Sequence, residues 1–224
     1  MEVYFVRHGK TEWNERGLFQ GRADIPLAPS GIAEARATGE LVRERGLSFD
    51  RVYSSPLVRA LRTAELVSGF PEHRIIRDER LCEMDFGVMD GTDYYHPDYP
   101  GCEAAGKPFG GFFEDPEHYE PPKGAESFFD LRARTGSFLN ELTELSQNPE
   151  APAHVLVAAH GWVIRMLFSQ MLDIPLSSIR EVKIPNGELS CFAFEDGGIL
   201  RRSELKTYHP GTLQDIREGS EGSK

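Results

Sequence analysis

"FVRHGKTEWN", residues 5–14, closes an apolar run that opens near the start of the chain. Residues 2–6, "EVYFV", read as a short buried strand rich in β-branched and aromatic side chains. The run stops at Arg7-His8-Gly9, and a polar, tryptophan-bearing stretch follows. An arginine and a histidine thus stand side by side where the first strand ends. The ends of the other strands decide what that placement means.

Working outward, strand-like and helix-like segments alternate. "SGIAEARATGELVRERG" (30–46) carries Ile32, Ala35, Leu41 and Val42 near helical spacing, with Ser30 expected as N-cap and Gly46 just past the end. "DRVYSS" (50–55) reads as a second strand. Ser55-Pro56 is expected to open the helix "PLVRALRTAELVS", which runs to Gly69. Residues 74–77 form a short β candidate, and "ESFFDLRARTGSFLNELTELSQ" (126–147) a long amphipathic helix. "HVLVAAH" (154–160) is the clearest buried strand, and "GWVIRMLFSQML" is helical. "ELSCFAFEDGGILRRSELKTY" has the form of a β-hairpin turning at Asp196-Gly197-Gly198. This order implies an α/β fold: a three-layer α/β/α sandwich whose mostly parallel central sheet is flanked by helices.

The 224 residues suit one domain with a sizeable core, and a composition 39% hydrophobic and 27% charged is that of a globular chain. Residues 92–123, rich in Pro, Gly, Tyr and Phe, break the alternation and read as a lid-like insertion within that single domain, 1–224. The polar tail from about 211 to 224 is expected to fray. The net charge of −11 disfavours nucleic acid and anionic membrane as partners, so a basic pocket would stand out. Cys82, Cys102 and Cys191 are odd in number and form no CxxC pair, which suggests neither a zinc site nor a disulfide framework. With no apolar stretch near membrane-spanning length and no signal-peptide pattern, the expected location is cytoplasmic. Nothing in the pattern selects an oligomeric state.

In open α/β sheets, ligands bind beyond the carboxyl ends of the strands. Arg7-His8-Gly9 follows the first strand, Ser54-Ser55-Pro56 with Arg59 the second, and His160-Gly161 the strand 154–159. If these strands are parallel, all three clusters share one rim holding two arginines, two histidines and two helix N-termini. Arginine forks and helix starts suit the oxygens of a phosphoryl group, and histidine serves as nucleophile or donor. Taken singly, each residue is equally a satisfied strand end, a surface ion pair or a helix cap.

"RHGKTEWN" resembles the signature of the histidine phosphatase superfamily, the phosphoglycerate mutase-like fold. The companion motifs follow in order: "FQGRADIPLAPSG" (19–31), "SSPLVRALRTA" (54–64), "LCEMDFGVMDG" (81–91), "GAES" (124–127) and "AHGWVIR" (159–165). The resemblance spans about residues 2–195. It implies that His8 is the nucleophile of a phosphohistidine, that Arg7, Arg59 and His160 hold the phosphate, and that Glu83 donates a proton to the leaving group. Asn14 is implied as a polar pocket residue, and Gln20 and Gly21 as the substrate side. Gly161 falls in the phosphate-binding motif. Asp85 and Asp90 are the neighbouring rivals of Glu83.

Elementary electrostatics agrees with these roles. Arg7 and Arg59 should hold His8 neutral, which leaves its ring a lone pair. Burial and phosphate charge would raise the pKa of Glu83 while the arginines would lower it, and both directions stay open. Lys10 departs from relatives, which often carry an acid or amide there, and is expected to be a peripheral charge. Trp162 is either helix packing or a wall narrowing the pocket mouth.

The implied activity is a phosphoric monoester hydrolase of the histidine acid phosphatase type, using no metal or other cofactor, on a small phosphorylated metabolite. One alternative is a cofactor-dependent phosphoglycerate mutase, another a non-enzymatic phospho-ligand binding module. Mutases of the family use several basic residues after the catalytic glutamate. Segment 92–123 has Lys107 and Lys123 against seven acidic residues, with seven Tyr or Phe. "EMDFGVMDG" also looks like the phosphatase branch, and an intact His8 and Glu83 speak against a binding module.

Overall fold

The computed structural model describes residues 1–93, 112–113, 115–195 and 199–201. Most of the expected insertion, the turn at 196–198 and the tail from 202 fall outside the described residues. Six strands form one sheet: β1 (Glu2–Arg7), β2 (Arg51–Ser54), β3 (Ile76–Arg77), β4 (His154–Ala159), β5 (Leu189–Glu195) and β6 (Ile199–Arg201). Their order is β3-β2-β4-β1-β5-β6. β1 pairs in parallel with β4, β4 with β2 and β2 with β3, while β5 runs antiparallel to β1 and β6 to β5.

Side chains alternate across β1 and so build two cores. Val3 and Phe5 pack with Val155, Val157 and Phe192 against one helical layer, whereas Tyr4 and Val6 pack with Leu156, Ala158 and Cys191 against the other. The first layer contains α4 (Phe128–Ser146) and α5 (Gly161–Met171); the second contains α2 (Pro29–Glu44) and α3 (Val58–Ser68). Burial on both faces explains why β1 and β4 read as continuous apolar runs. The expected three-layer α/β/α fold with a mainly parallel sheet is the observed one.

Two helix starts differ from expectation. Ser30 is not the N-cap of α2; Ala28 is, with Pro29 as first helical residue, and the Ser30 hydroxyl donates to Glu15 instead. Proline at the first position already supplies the helical φ and leaves one fewer unpaired N–H at the helix start. Ser55-Pro56 does not open α3 either. Leu57 precedes its first residue, and Ser55 Oγ accepts from the Leu57 N–H in a local turn. The Val58 N–H goes to Asp24 Oδ1 at 2.7 Å, a cap supplied by a distant loop. For α4, Ser127 and Asp130 form a reciprocal capping box. The short helix α1 (Glu12–Glu15) inside the opening motif is likewise boxed by Thr11 and Asn14.

The sheet register sets up the site. Arg7 lies opposite Ala159, and Ser54 opposite Ala158, so the carboxyl ends of β1, β2 and β4 share one edge. Gly9 then passes so close to α2 that a Cβ on it would sit 2.3 Å from the Gly31 carbonyl oxygen. Only glycine permits that approach.

Candidate active site

A cavity of about 270 Å³ opens at this edge. Its described lining includes Arg7, His8, Asn14, Gln20, Glu83 and Gly161, all expected from the sequence, together with Lys10, Trp162, Arg165 and Asn186. Among the described lining residues Glu83 is the one carboxyl, against Arg7, Lys10 and Arg165. The cavity is thus locally basic in a chain of net charge −11.

His8 is buried, and its Nδ1 lies 2.8 Å from the Gly9 carbonyl oxygen. A carbonyl can only accept, so Nδ1 carries the proton and Nε2 carries the lone pair. Burial, then Arg59, then Arg7 hold the His8 pKa well below its ordinary value. The ring is neutral and nucleophilic at its free nitrogen. Asn186 Nδ2 donates to the His8 carbonyl at 2.7 Å and fixes the backbone behind it.

Glu83 is buried beside the same cavity. Its Oε1 accepts from the Met84 N–H at 3.0 Å and, with Oε2 at 3.3 Å, from the Trp162 N–H at 3.2 Å. Trp162 belongs to the first turn of α5, so the open N-terminus of that helix faces the acid. Burial raises the Glu83 pKa; the two backbone bonds, then Arg59 and Arg7, lower it, and burial prevails. The question left open by composition is thereby answered: the carboxyl keeps its proton above the usual range. Its rivals are engaged structurally. Asp85 accepts from Gly87, while Asp90 accepts from Gly21 and from Ala23 at 2.9 Å.

Three expected residues do not line the cavity. Arg59 is fully buried behind it, with Nη1 donating to the Ala23 carbonyl and Nη2 to the Gly21 carbonyl, each at 2.7 Å. Burial lowers its pKa to about 10, which still leaves it cationic at neutral pH. Gly21 is not a substrate-side wall. It is wedged where a Cβ would lie 2.6 Å from the Met84 carbonyl oxygen, so the segment that Arg59 holds by its carbonyls touches the Glu83 loop there. His160 lies behind His8, with ring centroids 5.0 Å apart, and both its ring nitrogens lack a hydrogen-bond partner among the described residues. Burial and then Arg59 hold it neutral as well.

Thr11 links the polar wall: its N–H donates to Asn14 Oδ1 and its hydroxyl to Gln20 Oε1 at 2.8 Å. Lys10 sits on the rim, half exposed and paired with Glu34 at 2.9 Å, as a peripheral charge would. Trp162 meets both expectations, lining the cavity while its ring packs 4.9 Å from Phe112 and 5.4 Å from Phe128. Arg165 and Asn186 were not singled out in the sequence. Arg165 lies one turn beyond Gly161 on α5, stacks over Trp162 and donates from Nε to the Val182 carbonyl. Helical spacing within "AHGWVIR" was the available signal for it. Asn186 follows the last helical segment and had none.

Among the described residues no group of three or more His, Cys, Asp or Glu is placed to hold a metal ion. No helix among them is long and apolar enough to cross a membrane.

The chain is similar to known proteins over most of its length. The sequence profile of the histidine phosphatase superfamily (branch 1) matches residues 3–204. A 2,3-bisphosphoglycerate-dependent phosphoglycerate mutase of Rhizobium etli is 37% identical over 194 residues, covering 83% of this chain and 86% of that protein. Further bacterial mutases of the same description match at 31–37% identity. The crystal structure of the alpha-ribazole phosphatase from Shigella flexneri superposes with a TM-score of 0.76 at 27% identity, covering 90% of this chain and 95% of that one. Phosphoserine phosphatase from Entamoeba histolytica, in complex with 3-phosphoglyceric acid, superposes with a TM-score of 0.71 at 26% identity, covering 88% and 92%.

Proposed function

The chain belongs to the histidine phosphatase superfamily, and on that premise we propose that it is a phosphomonoester hydrolase acting through a phosphohistidine on His8. The observation that carries this reading is that His8 and Glu83 line one cavity, with the His8 Nδ1 turned to the Gly9 carbonyl. His8 offers a bare Nε2, and Glu83 holds a proton above the normal carboxyl range. A nucleophile without its proton and an acid with one are what ester cleavage requires.

In the first step His8 Nε2 forms a bond to phosphorus as the ester P–O bond breaks, and the Glu83 proton passes to the leaving oxygen. In the second, Glu83, now a carboxylate, takes a proton from water. The water oxygen bonds to phosphorus, the N–P bond breaks, and phosphate and the starting enzyme are released. Charge on the equatorial oxygens falls to Arg7 at the cavity wall and, from behind it, to the Arg59 cation, while neutral His160 has one ring N–H to donate. This electrostatic set supports catalysis without a metal ion. Asn14, Gln20 and Gly161 line the space for the rest of the substrate. At about 270 Å³ that space suits a small phosphorylated metabolite. The buried free thiol of Cys82 fits a reducing, cytoplasmic setting.

Hydrolysis is favoured over phosphoryl return by the wall of the cavity. Phe112, from the insertion, packs edge-on against the cavity residues Phe19, Phe86 and Trp162. The insertion as a whole is acidic and aromatic, unsuited to a bisphosphate. The second reading, a phosphoglycerate mutase, is favoured by the identity to the Rhizobium etli enzyme. Chelator-treated enzyme given an aryl phosphate should release inorganic phosphate, with or without added monophosphoglycerate. Transfer to the monophosphoglycerate in place of release would establish the mutase, and neither product would leave a binding module.

A further inference from the structure

The Glu83 carboxyl is held by two N–H groups, but the backbone that carries it is held from α4. Arg134 forms a fork with Glu126: Nε to Oε1 at 2.6 Å and Nη2 to Oε2 at 2.8 Å. The same guanidinium donates from Nη1 to the Arg80 carbonyl at 2.6 Å and from Nη2 to the Glu83 carbonyl at 3.2 Å. Glu126 completes the clasp from the other side. Its N–H donates to the Asp85 carbonyl at 2.8 Å, and its Oε2 accepts from the Asp85 N–H at 3.3 Å. Both side chains are largely buried, at 16% and 11% exposure. Thus Arg80, Glu83 and Asp85, the backbone around the acid, are tied to one ion pair that touches neither the cavity nor His8.

We propose that Arg134, gripped by Glu126, is a positioning residue that sets where the Glu83 carboxyl meets the leaving oxygen. The inference rests on the reading of Glu83 as general acid. A planar fork with five donors is suited to the task, because it bonds two carbonyls and a carboxylate at once in fixed directions. Residues 79–89 are short 3-10 turns and connecting segments anchored by buried Leu81, Met84, Phe86 and Met89, and the fork adds directed bonds to the backbone on either side of the acid. Misplacing a reacting group by about 1 Å can cost on the order of 100-fold in rate. The loss should appear only where the proton is needed. An alkyl phosphate expels a poor alkoxide and depends on Glu83, whereas a dinitrophenyl phosphate expels a phenolate that needs no proton.

The test is kcat/KM, which reports phosphorylation of His8, on glycerol phosphate and on 2,4-dinitrophenyl phosphate, for wild type, Glu83→Gln, Arg134→Gln, Arg134→Lys and Glu126→Gln. Arg134→Gln should lose about 100-fold on the alkyl ester and less than about 3-fold on the dinitrophenyl ester. Glu126→Gln keeps the two carbonyl bonds and should show a smaller selective loss. Arg134→Lys keeps charge without the fork and should recover part of the alkyl activity. Equal losses on both esters in Arg134→Gln and Glu126→Gln, or no loss, overturn the positioning role while Glu83→Gln remains selective. An unselective Glu83→Gln overturns the general-acid reading itself and the proposal with it.

Discussion

Lowering the pH should cost this fold stability through His160, and the amount follows from its surroundings. The ring is fully buried and is held neutral by burial, with Arg59, His8, Arg134 and Arg7 adding positive charge. Its folded pKa lies well below the ordinary 6.5, so the unfolded chain takes the proton first. Stability is therefore complete above the unfolded pKa and is lost as pH falls towards the folded value. Between about pH 6 and 5 the integrated loss is on the order of 1 kcal/mol. His160→Asn removes this contribution, whatever it does to stability at pH 7. With an m-value of about 2 kcal/mol/M, the urea midpoint of wild type should fall roughly 0.5 M further than that of the variant across the interval. Urea melts at several pH values measure this directly. Parallel curves for the two proteins would show that folded His160 accepts a proton, and would refute the electrostatic account of the cavity.

Gly21→Ala forces a Cβ to within 2.6 Å of the Met84 carbonyl oxygen, so the acid loop must shift; we expect a loss of about 1–3 kcal/mol in urea melts and a steeper loss of activity on alkyl than on aryl phosphates. Phe112→Ala removes a fully buried ring that meets Phe19, Phe86, Phe128 and Trp162, and should destabilise the protein by about 3–5 kcal/mol; an unchanged midpoint would mean the ring is not packed as observed. The pH profile of kcat/KM should have an acid limb from His8, displaced below the ordinary imidazole range, and an alkaline limb from Glu83, displaced above the ordinary carboxyl range. Glu83→Gln should abolish the alkaline limb, and its persistence would assign that proton elsewhere.

The parts of this architecture that were legible in the chain are those encoded locally. β1 and β4 are apolar on both faces, so their runs announced buried strands, and Arg7-His8 and His160-Gly161 marked where they end. The helix at 126–147 was legible from its amphipathic spacing, whereas its Ser127–Asp130 capping box came only with the structure. Helix starts governed by distant partners were not: Asp24 caps α3 from 34 residues away, and no local pattern around Ser55 reveals it. The same limit applied to the site. Arg59 reads as a phosphate ligand by motif, but its fork is spent on the carbonyls of Gly21 and Ala23, so its charge acts from behind the cavity. Arg134 reaches Glu83 across 51 residues, and Asn186 reaches His8 across 178. The net effect of burial against two arginines on Glu83 required coordinates as well, because neither depth nor distance is written in composition.

The central claim is a covalent bond between phosphorus and His8, and trapping it is the most direct measurement. Enzyme mixed with a phosphate-labelled ester, then quenched in alkali and digested, should yield one labelled peptide containing His8. That label should survive base and be lost in acid, and it should be absent from His8→Asn. A wild-type enzyme that turns over the ester with no trapped label, or a label that persists in His8→Asn, would contradict the account.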